Sequence, residues 1–134
     1  MSKGRILVID DSQTLLEQMK ARLSQEGYDV VTSSRALGNS EILRGAEVVL
    51  VDFHMPGVNG ASMLRWMRKA VDVLGQSTTL FCLFTTDDAE AAKYREHGFD
   101  KVVTSKGNVD AVVPQVNALF ASLAIRKVAA AKAR

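Results

Sequence analysis

Four acidic, hydroxyl and basic clusters stand out among the 134 residues, each directly after a short apolar run. Asp10 and Asp11 follow "RILVI", Asp52 follows "EVVLV", Thr85 and Thr86 follow "TLFCLF", and Ser105 and Lys106 follow "KVVT". A lone aspartate after a strand is ordinarily a turn or helix-cap residue. Three carboxylates, a hydroxyl pair and an ammonium repeating that placement point instead to chemistry on anions. Two carboxylates about 4 Å apart repel by roughly 4 kcal/mol at an effective dielectric near 20, so a cation has to sit among them. Lys106 can supply part of that charge. A hard divalent ion that prefers oxygen ligands can supply the rest, and Mg²⁺ fits, whereas the His and Cys spacings of zinc sites are missing.

The elements that must bring these residues together are legible as an alternation. Apolar runs predict strands over 5–10, 28–34, 47–52, 79–85 and 101–105. Helical periods predict helices over 12–27, 36–45, 60–75, 87–98 and 108–128. Leu15, Leu16, Met19 and Leu23 share one stripe of the first helix, which Ser12 caps and Gly27 stops. Gly38 and Asn39 make the second helix weak. In the last, Pro114 is tolerated only near the first turn. Consecutive apolar positions bury a strand on both faces, so five strands alternating with five helices predict a doubly wound parallel α/β sheet. In such sheets the binding crevice lies outside the C-terminal strand ends, where the clusters stand.

Composition bounds the class. Hydrophobic residues make up 47% and charged residues 24%, which suits one folded domain and excludes a disordered chain. No apolar run has the length of a membrane span or a signal peptide, so the cytoplasm is the expected compartment. The net charge is only +2, and the basic residues of "AIRKVAAAKAR" lack interleaved aromatics, so neither membrane nor direct DNA binding is expected. Residues 1–125 are expected to form the domain, with 126–134 a basic, Ala-rich extension of the last helix or a disordered tail. The single cysteine, Cys82, and Met19, Met63 and Met67 read as core, with Trp66 half-buried beside them. His97 reads as a surface residue. His54, two residues from Asp52, is evenly balanced between surface and site.

The acidic pair in "VIDDS", the stretch "VDFHMPGVNG" in the pattern D-x-x-M-P-x-x-x-G, "FTT" after the fourth strand and "TSK" after the fifth together resemble the receiver domains of bacterial response regulators, in particular the single-domain type of chemotaxis signalling. The resemblance covers nearly the whole chain. It implies a flavodoxin-like sheet of order 2-1-3-4-5. It also implies that Asp52 is phosphorylated to an aspartyl phosphate by a histidine kinase or histidine phosphotransfer protein. Mg²⁺ would be held by Asp10, Asp11, Asp52 and the backbone carbonyl of His54, with Lys106 neutralising phosphoryl oxygens. Thr85, or secondly Thr86, would be the hydroxyl that moves on phosphorylation. A downstream protein would dock on the face of helix four, strand five and helix five.

Three departures from the family pattern bear on the switch. The segment 85–98 is short, Val102 stands where strand five usually carries a mobile aromatic, and an extra residue precedes Lys106, so an ungapped reading would put Ser105 in its place. Two competing readings remain on the sequence alone: an interaction module independent of phosphorylation, and a small Mg²⁺-dependent phosphatase working through an aspartyl phosphate. The second lacks another Asp two residues after Asp52, where His54 stands.

Overall fold

The computed structural model describes residues 2–34, 40–55, 57 and 59–133. Five strands, β1 (Arg5–Ile9), β2 (Asp29–Ser33), β3 (Val48–Val51), β4 (Leu80–Phe84) and β5 (Lys101–Val103), form one parallel sheet in the order β2-β1-β3-β4-β5. Strand residues alternate between two cores because successive side chains point to opposite faces. Ile6, Val8, Leu50 and Phe84 pack beneath α1 (Gln13–Gln25) and α4 (Val109–Lys132), while Leu7, Ile9, Val51 and Leu83 pack beneath α2 (Gly60–Val73). Every residue of β3 and β4 is buried, as their unbroken apolar runs require. Cys82 is fully buried, and Trp66 is half-buried against the α2-side core.

Register makes the strand ends level. Ile9 lies opposite Val51 and Val51 opposite Leu83, and the Asp52 N–H donates to the Ile9 carbonyl at 2.9 Å. The residues just past these ends, Asp10, Asp52 and the Phe84–Thr85 step, therefore emerge along one edge. Each helix that starts at this edge is capped by a side chain: Ser12 for α1, Asn59 for α2, Asp87 for α3 (Asp88–Ala92) and Asn108 for α4.

The helices depart from expectation in two places. Four α-helices are present among the described residues rather than five. Where the second was predicted, Ser40–Leu43 form a single 3-10 turn anchored by the fully buried Leu43 and ended at Gly45, whose φ is +77°. The start of that predicted helix, Ala36–Asn39, lies outside the described residues, as does Pro56. The helix predicted over 87–98 is α-helical for only five residues, Asp88–Ala92, and reaches Gly98 through successive turns. None of its residues is buried, so it lacks the apolar stripe through which packing lengthens a helix. By contrast, α4 passes Pro114 without a break: the carbonyl that the missing N–H would have bonded belongs to Asp110, which is exposed. The same helix continues to Lys132, with Arg126 3.4 Å from Asp100 and Lys127 2.9 Å from Glu47.

Candidate functional site

Asp10 is placed by β1 and is 1% exposed. One carboxylate oxygen accepts the Ser12 N–H at 2.9 Å, and the other is in contact with the Lys106 ammonium. Asp52 leaves β3 with its side chain 13% exposed; Oδ1 accepts the His54 N–H at 3.0 Å and Oδ2 lies 3.7 Å from Lys106 Nζ. Asp11 is exposed at the rim. One oxygen from each of Asp10, Asp11 and Asp52 falls within 4.8 Å of the others, a hard-oxygen set that suits Mg²⁺. The structure thus brings together the three carboxylates and the lysine that the sequence singled out from three separate strand ends.

The charges are unevenly shared. Lys106 lies closer to Asp10 than to Asp52, and its Nζ also lies 5.1 Å from the centre of the Phe84 ring. Burial pushes the Asp52 carboxyl above its ordinary range. The His54 N–H and Lys106 pull against that shift, and the charges of Asp10 and Asp11 add to it. A cation at this edge would offset the burial that disfavours the charged form of Asp52.

Lys106 reaches this position through an unusual backbone. Ser105 has φ +63°, the one left-handed non-glycine residue among those described, and the Asn108 N–H bonds back to its carbonyl at 2.8 Å. That turn leaves Ser105 itself exposed.

On the β4 side, Thr85 is buried while Thr86 is exposed. The Thr85 hydroxyl oxygen accepts the Asp87 N–H at 3.0 Å, which makes it a turn residue here and does not use its own O–H. Asp87 then caps α3. Val102 is partly buried against the α2-side core.

Three site neighbours escaped the sequence. Phe53, directly after Asp52, stacks its ring 4.7 Å from that of His97 and edge-on to Phe99 at 5.6 Å. A Cβ on Gly60 would come within 2.5 Å of the Phe53 ring, so glycine there makes room for it. The His54 ring meets the carboxylate of Glu90, whose side chain is 8% exposed. Two consecutive residues after Asp52 thus grip the segment 87–99. His97, read as a surface residue, is half-buried in this contact. The nearest of these pairings spans 36 residues, so no local pattern announces it.

Comparison with known proteins finds relatives of the same fold. The model of the response regulator receiver domain matches residues 6–117. Protein PilH of Pseudomonas aeruginosa is 28% identical over 122 residues, covering 88% of this chain and 98% of PilH. Among solved structures, the response regulator protein TrrA of Thermotoga maritima, in complex with Mg(2+)-BeF, is 25% identical with a TM-score of 0.64, over 87% of this chain and 98% of that one. The chemotaxis protein CheY4 of Vibrio cholerae shares the fold at 18% identity and a TM-score of 0.69, over 85% of this chain and 96% of that one. Several other curated relatives are longer, and the chain spans about half of their length.

Proposed function

Because the chain belongs to the response regulator receiver family, we propose that it is a phosphoacceptor switch, in which Asp52 takes a phosphoryl group from a histidine kinase or a histidine phosphotransfer protein. The observation that carries this reading is the placement of Asp52: on a central strand end, beside Asp10 and Asp11, with an ammonium 3.7 Å away. An Asp52 oxygen attacks phosphorus, the O–P bond forms, and the P–N bond of the donor's phosphohistidine breaks with its electron pair left on the imidazole nitrogen. Asp52 is held for this attack by the strand and by the His54 N–H, so the protein contributes position and charge rather than turnover of a substrate. Mg²⁺, held by Asp10, Asp11, Asp52 and the backbone carbonyl of His54, would offset the negative charge of the phosphoryl oxygens. Lys106 adds a fixed positive charge, already oriented by Asp10.

Phosphorylation adds close to two negative charges and three acceptor oxygens at this edge. Thr85 is the proposed responding hydroxyl, since it is the buried one of the pair, and Thr86 the second choice. The affected surface would be the face of α3, β5 and α4, which corresponds to the predicted helix four, strand five and helix five, and a downstream protein would read it. We place the receiver in residues 1–125, with 126–134 as the basic continuation of α4, and the protein in the cytoplasm; no described helix is long and apolar enough to cross a membrane.

Intact mass after incubation with acetyl phosphate and Mg²⁺ tests the reading. One phosphoryl adduct is expected, absent in Asp52→Asn and in EDTA. A second reading, an interaction module that does not switch, is favoured by Val102, whose aliphatic chain cannot act as a swinging aromatic. Equal partner binding by wild type and Asp52→Asn, with and without phosphodonor, would establish that one instead.

A further inference from the structure

Gln115 is joined to the backbone of Thr104 on both sides of its amide. The Thr104 N–H donates to Oε1 at 2.9 Å, and Nε2 donates to the Thr104 carbonyl at 3.1 Å. Nε2 also donates to the Ala111 carbonyl at 3.1 Å, which fixes the side chain against its own helix. Thr104 comes directly after Val103, the last residue of β5, and β5 is an edge strand with β4 as its one neighbour. The amide therefore stands where the backbone of a further strand would pair, and it closes that edge at the point where the chain leaves the sheet.

Thr104 leads into the turn that carries Lys106. Ser105 is held at φ +63°, a conformation that L-residues avoid and that persists only where the surroundings impose it. The exit of the turn is tied by the Asn108 N–H to the Ser105 carbonyl, and Asn108 caps α4. The entry is tied by Gln115. Both ends of the loop are thus referred to one helix, seven residues apart on it, which is two turns.

We infer that Gln115 is a positioning residue for Lys106: by holding Thr104 it sets the backbone from which the lysine reaches Asp10 and Asp52. The inference rests on the phosphoacceptor reading for its kinetic consequence, though not for its structural one. A lysine stem is long and carries many rotamers, so its charge is useful only where the backbone beneath it is fixed. A preorganised cation loses much of its effect when displaced by about an ångström.

Gln115→Met keeps the length of the side chain and removes the amide. The rate of adduct formation from acetyl phosphate at saturating Mg²⁺ should fall about tenfold in the Lys106 protein and less than about twofold in a Lys106→Ala background, with the Mg²⁺ midpoint unchanged. An equal fall in both backgrounds, or no fall where Lys106 is present, would overturn the inference. A second readout needs neither phosphodonor nor Mg²⁺. In limited acetylation by acetic anhydride, read by peptide mass, Lys106 should react several-fold faster in Gln115→Met while the exposed Lys20 and Lys69 keep their rates. An unchanged Lys106 rate overturns the inference whether or not Asp52 is ever phosphorylated, so its failure is separable from failure of the phosphoacceptor reading. Should Gln115→Met not fold, Gln115→Glu keeps the acceptor for the Thr104 N–H and loses the donor. An increase of about threefold in Lys106 acetylation is then expected, and none overturns the inference.

Discussion

The two halves of the site are built differently. Asp10 and Asp52 follow β1 and β3, which pair on both sides, and their backbones are fixed by the sheet itself through the Ser33 and Ile9 carbonyls. Lys106 and the segment 87–99 lie towards the edge strand β5 and are held mainly by side chains: Phe53 on His97, His54 on Glu90, Gln115 on Thr104, Asp10 on Lys106. On the phosphoacceptor reading, rigid ladders suit a nucleophile that must not move. Discrete side-chain contacts can be exchanged for others, which on the same reading suits the part that would respond to added charge.

The contrast can be broken most forcefully at Lys106. Lys106→Ala leaves the buried Asp10 carboxylate without its cation and should cost about 3 kcal/mol in urea unfolding, whereas Asp11→Asn at the exposed rim should leave stability unchanged or slightly raised. Equal effects would mean that the two sides are not distinct. Next in size is the response to metal. Mg²⁺ at a hundredfold excess over its dissociation constant should add about 2.7 kcal/mol, read as a rise in Tm, and Asp10→Asn should remove most of that gain.

A smaller effect has a definite sign. The Asp52 carboxyl is pushed above its ordinary range, chiefly by burial, so its ionisation opposes folding. Without Mg²⁺, Asp52→Asn should therefore raise Tm, by roughly 3 °C at pH 7. Below the free carboxyl's pKa of about 3.8 the group is protonated in both states and contributes no penalty; the penalty grows as pH rises from there through the raised folded value. The advantage of Asp52→Asn over wild type should consequently be smaller at pH 4 than at pH 7. The smallest change is His97→Ala, which removes the ring over Phe53 and should cost about 0.5 kcal/mol. Its sharper signature is faster amide exchange across 87–99 with the β1–β3 ladder unaffected.

Val102 belongs to the same comparison. A switch that moves through β5 usually needs a side chain able to swap environments there, and a partly buried valine offers little of that. The contacts of Phe53 and His54 run directly from the residues after Asp52 to the α3 segment, so the edge side has a physical connection to Asp52 that bypasses β5.

How far the sequence by itself determines this molecule depends on the range of the forces involved. Strands β1, β3 and β4 are legible because an apolar run buried on both faces is a local signal, and the order in which acids, hydroxyls and the lysine succeed those runs places them on one edge. The Ser12 cap is equally local. Periodicity and charge placement say nothing of packing: the described part of the second predicted helix gives a 3-10 turn on Leu43, and the fourth, overestimated, finds no core to lie on. The choice between Ser105 and Lys106 could not be made by spacing. The cost of leaving the carboxylates without a cation favours Lys106, and in the structure its ammonium meets the buried Asp10 behind a left-handed turn at Ser105. Likewise Glu90 and His97 meet His54 and Phe53, residues distant in the chain, across contacts that exist only once the sheet has brought its two halves together.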